Sequence, residues 1–462
     1  MTALPDPGSF RDPGGRVYAV PGRIFRSVMP CSAPAYESVR DSGLLDALTA
    51  QRLVVDSREC DPSVVGKLFP DPAYMLEHPP IPFISYPYEW SFSLLKKAAL
   101  HHLDVQLAAL DKGFTLSDAT AYNIQFVGPQ PTFIDHLSFR PYRDGEIWMG
   151  HRQFCMQFLN PLIMWSRLGL APNPWFRGGL EGIAPEELAP LLSWRHNLSL
   201  TILTHVTAQA SLQRRSVQAG AQAGRHREAK LPLASFRNML GGLRSFVEGC
   251  SLPKSRTVWS DYADNNSYAE PEARAKRAFV SAMAQSVRPR LMFDLGCNTG
   301  DYASAALAAG AGHVIGFDFD YGALEQAVAR AEGGKLNFLP LWLDAANPSP
   351  AQGWGQAERK GLKERADADA LVALAFIHHI VIGRNIPLEM AVDWIVAMAP
   401  HGVIEFPPKT DPMVRQLLAQ REDIFPDYHE QAFRAAVSKR ARIVAEEHLA
   451  EGGRLLVRYD RS

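Results

Sequence analysis

The sequence is poor in cysteine and contains no long hydrophobic run. Its 462 residues include five cysteines, which are odd in number, widely scattered and free of C-x-x-C spacing. This pattern argues against a disulfide framework and against a zinc site, and it is typical of a protein of the reducing cytoplasm. No stretch offers about eighteen uninterrupted apolar residues, and the first residues lack the apolar core of a signal peptide. We therefore expect a soluble cytoplasmic protein without a membrane span.

The chain also lacks an excess of either charge. Lysine and arginine total 48 against 49 aspartate and glutamate residues, which leaves a formal net charge of -1. A global basic field of the kind that drives non-specific binding of nucleic acid is therefore missing. A local RNA-binding face stays open as an alternative, and its footprint would be the linker arginines Arg214, Arg215, Arg225 and Arg227.

The most informative segment runs from Leu291 to Gly300 and reads LMFDLGCNTG. Its apolar start predicts a buried strand, and Asp294 stands at the carboxyl end of that strand. Gly296 and Gly300 permit a tight turn close to a ligand. A second apolar run, His313–Asp318, ends in a carboxylate about twenty residues beyond the first glycine, where a ribose-binding acid is expected. The pattern predicts the start of a nucleotide-binding βαβ unit; the alternative is an ordinary α/β turn with a capping aspartate.

This segment resembles the first motif of the class I S-adenosylmethionine-dependent methyltransferases, and the resemblance extends over residues 255–462. Because the glycines do not follow G-x-G-x-x-G, no pyrophosphate cradle is implied. The resemblance implies S-adenosylmethionine as the cofactor, with its amino acid part against the turn, its ribose on the acid after the second strand and its adenine beside a carboxylate after the third. The cofactor-binding residues implied in this way are Asp294, Gly296, Cys297, Asn298, Gly300, Asp318 and Asp344.

The carboxyl-terminal region alternates in the manner of a parallel sheet with crossover helices. The predicted strands are Leu291–Asp294, Val314–Asp318, Leu336–Leu343, Ala370–Ile377 and Gly402–Phe406, followed by a hairpin of Ala441–Glu446 and Arg454–Tyr459. The predicted fold class is α/β. It consists of a C-terminal Rossmann-like methyltransferase sheet, mostly parallel with an antiparallel last strand, and an N-terminal α+β domain.

Two histidines follow the fourth predicted strand. His378 and His379 stand where open α/β sheets project residues into a ligand crevice. A neutral imidazole there could take a proton from an attacking amine or hydroxyl, or join Glu405 around a metal. Alternatively, the pair only begins the next helix and lines the pocket, since positioning can suffice for methyl transfer. His378, His379 and Glu405 are therefore the candidate catalytic residues.

Two further segments are candidates for acceptor recognition. An aromatic-rich stretch upstream of the glycine turn predicts either a lid or packing onto the sheet, and it contains Trp259, Tyr262, Tyr268 and Lys276. An insertion between the third and fourth strands is predicted near the pocket, and it contains Trp354, Glu358 and Arg359.

A second constellation lies in the amino-terminal half. Asp118 is followed by Asn123 at D-x-x-x-x-N spacing and, after two short strands around a Gly128–Pro129 turn, by Asp135. The arrangement resembles protein kinase-like and aminoglycoside phosphotransferase-like folds. The resemblance implies a kinase-like domain over residues 10–215, with Asp118 as a base, Asn123 and Asp135 as magnesium ligands, and Mg-ATP as a possible ligand.

The sequence departs from the kinase pattern in its small lobe. No lysine precedes Lys67, so the phosphate-anchoring lysine is missing unless Arg26 replaces it, and the two side chains are not equivalent. The amino-terminal glycines do not form G-x-G-x-x-G. An active kinase, a ligand-binding pseudokinase and a structural remnant all stay open. The other predicted parts of this domain are a hairpin of Arg16–Val20 and Arg23–Val28, a helix Ala35–Ala50, a strand Pro82–Tyr88 and a helix Ser91–Leu110.

The whole architecture resembles the bacterial family related to the nodulation protein NoeA, in segments 346–350, 404–406 and 411–414. Residues 216–254 are predicted to form a linker and a helix between the two domains. We predict a methyltransferase that acts on an oxygen or nitrogen nucleophile of a small molecule or modified metabolite, with an N-terminal domain that recognises or modifies this acceptor. The alternatives are a regulatory protein that binds ligands without turnover and an RNA-modifying methyltransferase.

Overall fold

The computed structural model describes residues 4–66, 71–218, 230–253, 270–419, 421–449 and 453–461. Its contacts divide the chain into two compact units. The first comprises Met1–Phe126, Gln130–Ser255 and Gln352–Arg359, and the second comprises Val127–Pro129, Arg256–Ala351 and Lys360–Ser462. Within the described ranges, every helix is too short or too polar to cross a bilayer.

The first unit contains a four-stranded antiparallel sheet in the order β1-β2-β4-β3. Tyr18, Phe25, Val65 and Met75 form a small apolar cluster on it. Two further pairs, β5 with β8 and β6 with β7, lie outside this sheet. The strands are β1 Val17–Val20, β2 Arg23–Val28, β3 Arg58–Cys60, β4 Tyr74–His78, β5 Phe114–Leu116, β6 Ile124–Val127, β7 Gln130–Phe133 and β8 Phe139–Pro141.

The helices of the first unit include a long one, α3, which has twelve buried residues. They are α1 Ala33–Asp41, α2 Leu44–Ala50, α3 Phe92–Asp111, α4 His151–Phe154, α5 Asn160–Leu168, α6 Asn173–Gly178, α7 Pro185–Leu188, α8 Leu200–Ile202, α9 Ala208–Gln218 and α10 Leu233–Glu248. Two π-helical turns, Cys155–Leu159 and Leu203–Thr207, connect α4 to α5 and α8 to α9.

Two predicted elements of the first unit were wrong. The helix predicted over Ala35–Ala50 is two helices, because Gly43 between them adopts a left-handed conformation with φ of 69°. The strand predicted at Pro82–Tyr88 is irregular and ends in a short 3₁₀ turn, Pro87–Glu89. Its prolines have no backbone N–H to donate to a strand ladder, so an apolar run was insufficient evidence for a strand.

The second unit is built on a seven-stranded sheet in the order β11-β10-β9-β12-β13-β15-β14. The first five strands of this unit, β9 to β13, pair in parallel, and β15 runs antiparallel to both β13 and β14. This is the mostly parallel sheet with an antiparallel last strand that the sequence predicts. The strands are β9 Leu291–Leu295, β10 His313–Asp318, β11 Phe338–Trp342, β12 Ala370–Ala373, β13 His401–Phe406, β14 Arg442–His448 and β15 Leu455–Asp460.

The helices of the second unit pack on this sheet through small and aliphatic side chains, because strands buried on both faces leave room only for such residues. They are α11 Glu270–Val287, α12 Asp301–Ala308, α13 Tyr321–Gly333, α14 Leu362–Arg365, α15 Ile377–Arg384, α16 Leu388–Met398, α17 Pro412–Leu418 and α18 Glu430–Ser438. β12 is shorter than predicted, since Ala375 has φ of 47° and α15 starts at Ile377.

The strand order predicts the edge of this sheet at which a ligand would bind. From β9 the chain builds β10 and β11 on one side, and β12 and β13 follow on the other side of β9. The order therefore reverses beside β9, and open α/β sheets bind ligands outside the carboxyl ends of the strands at such a point. The residues after β9, β10, β11 and β12 all lie at this edge.

Candidate active site

The turn after β9 is held in an unusual conformation. Gly296, Asn298 and Gly300 have φ of 73°, 47° and 82°, in the left-handed region that favours glycine. The backbone N–H of Gly296 donates to the carbonyl of Phe317 on β10 at 2.8 Å, which fixes the turn against the sheet. A Cβ added to Gly300 would overlap the ring of Phe338. The glycine at that position is required both by the backbone and by the close packing.

Asp294 carries an unpaired buried oxygen at the start of this turn. The residue is buried, and among the described residues its Oδ2 has no hydrogen-bond partner. Burial, and then the neighbouring charge of Asp318, raise the pKa of Asp294 to about 7. A buried carboxylate oxygen without a donor costs free energy. The site therefore suits a ligand that brings a cationic or N–H donor.

Asp318, at the end of β10, is half-buried and held in a fixed orientation. Its Oδ2 accepts the backbone N–H of Asn298 at 2.8 Å, and its Oδ1 accepts that of Asp320 at 2.8 Å. Burial raises its pKa, and these backbone hydrogen bonds oppose the rise. Each carboxylate oxygen has two lone pairs, so both oxygens keep a position for a further donor such as a hydroxyl.

Arg384 connects Asp344, after β11, with the residue that follows Asp318. The Oδ1 atom of Asp344 accepts the backbone N–H of Ala346 at 3.1 Å and is 3.6 Å from Nη2 of Arg384. The Arg384 guanidinium lies 5.8 Å from the ring centre of Phe319, the residue directly after Asp318. The Phe319 ring is 54% exposed, which leaves an aromatic face beside two carboxylates.

Cys297 packs inside the turn. It is buried, and its Sγ lies 3.7 Å from the carbonyl oxygen of Asn298. Burial, and then the charges of Asp318 and Asp294, hold the pKa of this thiol well above its usual range. Cys297 is therefore a neutral packing residue of the turn.

The two histidines after β12 differ in their exposure. Their ring centres are 4.1 Å apart, His378 is buried, and His379 retains partial exposure. The Nδ1 atom of His378 has no hydrogen-bond partner among the described residues. Burial lowers the pKa of His378 well below its usual value and that of His379 to about 4. Both imidazoles are neutral at pH 7.

Glu405 is enclosed in a network of charges. Its Oε1 lies 2.8 Å from Nζ of Lys276 and 3.0 Å from Nη1 of Arg454, and its Oε2 accepts the backbone N–H of Ala375 at 2.6 Å. Burial raises the pKa of Glu405, but the two cations outweigh it and the net shift is downward. Glu405 therefore stabilises the strained turn that precedes the histidines, and a metal ion on it would have to compete with two cations.

The two segments predicted to recognise the acceptor are described only in part. Lys276 is on α11 and is buried in the ion pair with Glu405, while Trp259, Tyr262 and Tyr268 fall outside the described residues. Part of the insertion between β11 and β12, Gln352–Arg359, belongs to the first unit. There Glu358 pairs with Arg11 at 2.7 Å, and the Arg359 guanidinium lies 4.1 Å from the ring centre of Tyr122.

In the first unit, Asp118, Asn123 and Asp135 come together. The Nδ2 atom of Asn123 lies 3.2 Å from Oδ2 of Asp118 and 3.4 Å from Oδ2 of Asp135. Arg26 pairs with Asp135 at 2.8 Å. Burial, and then the charge of Asp135, raise the pKa of Asp118 to about 6, while Oγ of Ser138 donates to its carboxylate at 2.6 Å. Two carboxylates, an amide and a guanidinium thus share one polar site.

The chain is 46% identical to the nodulation protein NoeA of Rhizobium meliloti (strain 1021) over 469 residues, a match that covers 100% of this chain and 98% of that protein. It belongs to the NoeA family. No protein-family model matches the sequence.

Two solved structures are similar to parts of this NoeA-family chain. N-methyltransferase NodS from Bradyrhizobium japonicum WM9, in complex with S-adenosyl-L-homocysteine, is 13% identical with a TM-score of 0.31 and covers 44% of this chain and 97% of its own. The bifunctional kinase-methyltransferase WbdD is 17% identical with a TM-score of 0.29 and covers 45% of this chain and 42% of its own. Similarities of this size do not assign an activity.

The sequence analysis missed two residues of the NoeA-family crevice, Phe319 and Arg384. The aromatic residue directly after the acid of β10 can be read from the sequence, but its 54% exposure is seen only in the structure. Arg384 had no such signal, because its proximity to Asp344 depends on how α15 packs.

Proposed function

We propose that the second unit is an S-adenosylmethionine-dependent methyltransferase that modifies an oxygen or nitrogen nucleophile of a small molecule or modified metabolite. One observation carries the proposal: the glycine turn after β9, the unpaired Oδ2 of Asp294 and the half-buried carboxylate of Asp318 meet at the edge where the strand order reverses. These acceptor groups fit the cofactor, which has an ammonium group, a sulfonium and a diol.

Each polar group of the cofactor has a partner in this proposal. Asp318 accepts hydrogen bonds from the ribose hydroxyls through the lone pairs that its backbone partners leave. Asp294 accepts the ammonium group through Oδ2, which removes the cost of burying that oxygen unpaired. Phe319 and Asp344 flank the adenine. S-adenosylmethionine, when bound, supplies an electrophilic methyl group.

The histidines orient the acceptor in this proposal. With a pKa of about 4, His379 is neutral at pH 7 but is a weak base, and an efficient general base has a pKa near the working pH. A neutral imidazole can still accept a hydrogen bond from the attacking hydroxyl or amine and align it for in-line displacement. Glu405 is a positioning residue, since it stabilises the Ala375 turn that carries the histidines.

Calorimetric titration with S-adenosylmethionine tests the proposal. The wild-type protein should bind the cofactor, and Asp318→Ala should weaken binding roughly 10- to 100-fold, since a hydrogen bond to a charged group contributes about 1.5 to 3 kcal/mol. Asp367→Ala is the matched control, because the Asp367 side chain is 96% exposed in the same unit, and its affinity should equal that of the wild type. Absence of binding by the wild type, or unchanged affinity of Asp318→Ala, would refute the assignment.

A second candidate function concerns the first unit. We propose that Asp118, Asn123 and Asp135 bind a magnesium nucleotide, because three oxygen-bearing side chains converge and the pKa of Asp118 is raised to about 6 by burial and by its acidic neighbour. A hard divalent cation would relieve that repulsion, and carboxylate and amide oxygens are its preferred ligands. Arg26, which pairs with Asp135, would then be near enough to contribute positive charge to the phosphates.

Asp135→Asn separates this function from a purely structural role of the cluster. Titration with ATP and magnesium should show binding by the wild type and at least a tenfold loss in the variant, because a charged metal ligand has been removed. S-adenosylmethionine affinity should be unchanged. If the wild type shows no magnesium-dependent ATP binding, the cluster is a structural remnant; if Asp135→Asn binds normally, the nucleotide lies elsewhere.

A further inference from the structure

Three side chains that commonly bind transition metals converge in the first unit, away from the acidic cluster. They are His151, Cys155 and His205, and their ligand atoms all lie within 4.8 Å of one another. The Nε2 atom of His151 is 2.8 Å from Nδ1 of His205 and 3.7 Å from Sγ of Cys155. Cys155 is buried, and both histidines are partly buried.

The backbone brings these side chains together through two irregular helical turns. His151 and Cys155 are four residues apart, so they share one helix face. Cys155 opens the π-helical turn Cys155–Leu159, and His205 is the central residue of the π-helical turn Leu203–Thr207. A π-helical turn changes the direction of the side chains that follow it, and such turns occur frequently at functional sites. Two of them meeting at one cluster is a second observation, independent of residue type.

Protein contacts alone leave this cluster incompletely satisfied. The Nε2 atom of a neutral imidazole carries either one proton or one lone pair, so it serves only one of its two neighbours at a time. One of these two contacts is therefore left without a hydrogen bond, and a cation bound by all three ligand atoms would satisfy each of them.

We propose that Nε2 of His151, Sγ of Cys155 and Nδ1 of His205 bind one zinc-class divalent cation, with water in the fourth position. Nitrogen and sulfur ligands select such ions over magnesium or calcium. Bond lengths of about 2.0 to 2.3 Å in a tetrahedral site separate ligand atoms by roughly 3.3 to 3.7 Å, which small side-chain rotations achieve here. On binding, the Cys155 thiol releases its proton to solvent and the thiolate sulfur forms the bond to the metal.

This site was invisible in the sequence. Cysteine spacing predicted no zinc site, because the ligands come from two helices and only one cysteine takes part. The prediction considered the cysteines among themselves, whereas the structure pairs Cys155 with histidines.

Metal analysis and cobalt titration test the proposal. Full-length protein prepared without chelators is analysed by mass spectrometry for bound metal, and then stripped with a chelator and titrated with Co²⁺. We expect one metal per chain and a thiolate-to-cobalt charge-transfer band. Cys155→Ser should lose this band, and His205→Gln should weaken cobalt binding at least about tenfold, since each removes a ligand.

Cys250→Ser is the matched control. Cys250 is also buried in the first unit, but its Sγ donates to the carbonyl of Phe246, and the variant should keep both the metal and the band. His205→Gln serves as the second variant if Cys155→Ser fails to fold, because His205 is partly exposed. Absence of the band in the wild type, or its persistence in a folded Cys155→Ser, would overturn the proposal. S-adenosylmethionine titration of the same samples reports separately on the methyltransferase.

Discussion

At the scale of single residues, Asp294 is the position where stability and function conflict. Its carboxylate is buried at the end of β9 with one oxygen unpaired, and its pKa is raised to about 7. Such an environment disfavours the charged form, so the folded protein loses stability when Asp294 ionises. A cofactor that donates to this oxygen would remove the penalty. In the function proposed above, Asp294 therefore links proton binding, cofactor binding and folding.

Asp294 gives a prediction for the pH dependence of stability. The folded pKa lies above the unfolded value near 3.9, so the folded state binds more protons between these values and stability falls as pH rises towards 7. In Asp294→Asn this contribution is absent. The free energy of unfolding of the wild type relative to Asp294→Asn should fall by up to about 1.4 kcal/mol per pH unit from pH 5 to 7.

Urea unfolding at several pH values in that range checks this prediction. The comparison with Asp294→Asn cancels the opposite contribution of buried histidines, whose pKa values are lowered and whose charging destabilises the fold at low pH. Asp367→Asn, at a 96% exposed side chain, should follow the wild type at every pH. Parallel curves for the wild type and Asp294→Asn would contradict the prediction.

At the scale of secondary-structure elements, buried charges connect four parts of the second unit. Lys276 comes from α11, Glu405 from β13 and Arg454 from the residue before β15, and Arg454 also pairs at 2.7 Å with Asp411, which caps α17. Buried ion pairs contribute little net stability compared with apolar packing, but loss of one partner leaves an uncompensated charge. The network therefore specifies how these elements join and is sensitive to single changes.

Glu405→Gln should destabilise the protein by about 3 to 5 kcal/mol, because Lys276 and Arg454 would stay buried with one counter-charge fewer. Chemical denaturation of the variant measures this loss. Glu389→Gln is the control: Glu389 pairs with Lys439 at 2.8 Å, but the two side chains are 53% and 60% exposed, so the change should cost less than about 1 kcal/mol. Equal losses of stability in the two variants would show that burial of the network does not determine its contribution to stability.

At the scale of the whole molecule, the numbers of acidic and basic residues are nearly equal. A formal net charge of -1 supplies no long-range attraction for a polyanion. Of the four linker arginines in the RNA alternative, Arg225 and Arg227 fall outside the described residues, and Nε of Arg214 donates to the carbonyl of Ala210 at 3.3 Å. The composition therefore gives no support to the RNA alternative.

Salt dependence distinguishes the two acceptor classes. For a small acceptor, methyl transfer should change by less than about threefold between 50 and 200 mM salt, whereas a nucleic acid held by six to ten phosphates would lose about 10³ to 10⁵ in affinity over that range. Initial rates with radiolabelled cofactor and a metabolite extract, or with total RNA, give the comparison. A steep loss with RNA alone as acceptor would contradict the small-molecule prediction.

The sequence by itself determined the local parts of the proposed cofactor site. The strand, the glycine turn and the acid of the next strand are contiguous or evenly spaced, so hydrophobic periodicity and backbone preference sufficed to predict β9, β10 and the turn from Gly296 to Gly300. The final hairpin was predicted from the same kind of pattern, whereas the order of the strands in the sheet is known only from the structure. The predicted strand Pro82–Tyr88 failed because periodicity does not record missing backbone donors.

Only the tertiary structure decided which distant side chains meet. Lys276 pairs with Glu405, and His205 lies beside Cys155, because elements far apart in the chain pack together. The energy of such a contact depends on burial and on distances of a few ångströms, and neither is encoded in residue spacing. The roles of buried ionisable groups were therefore set by packing, whereas the turns and strands that carry them were set by local sequence.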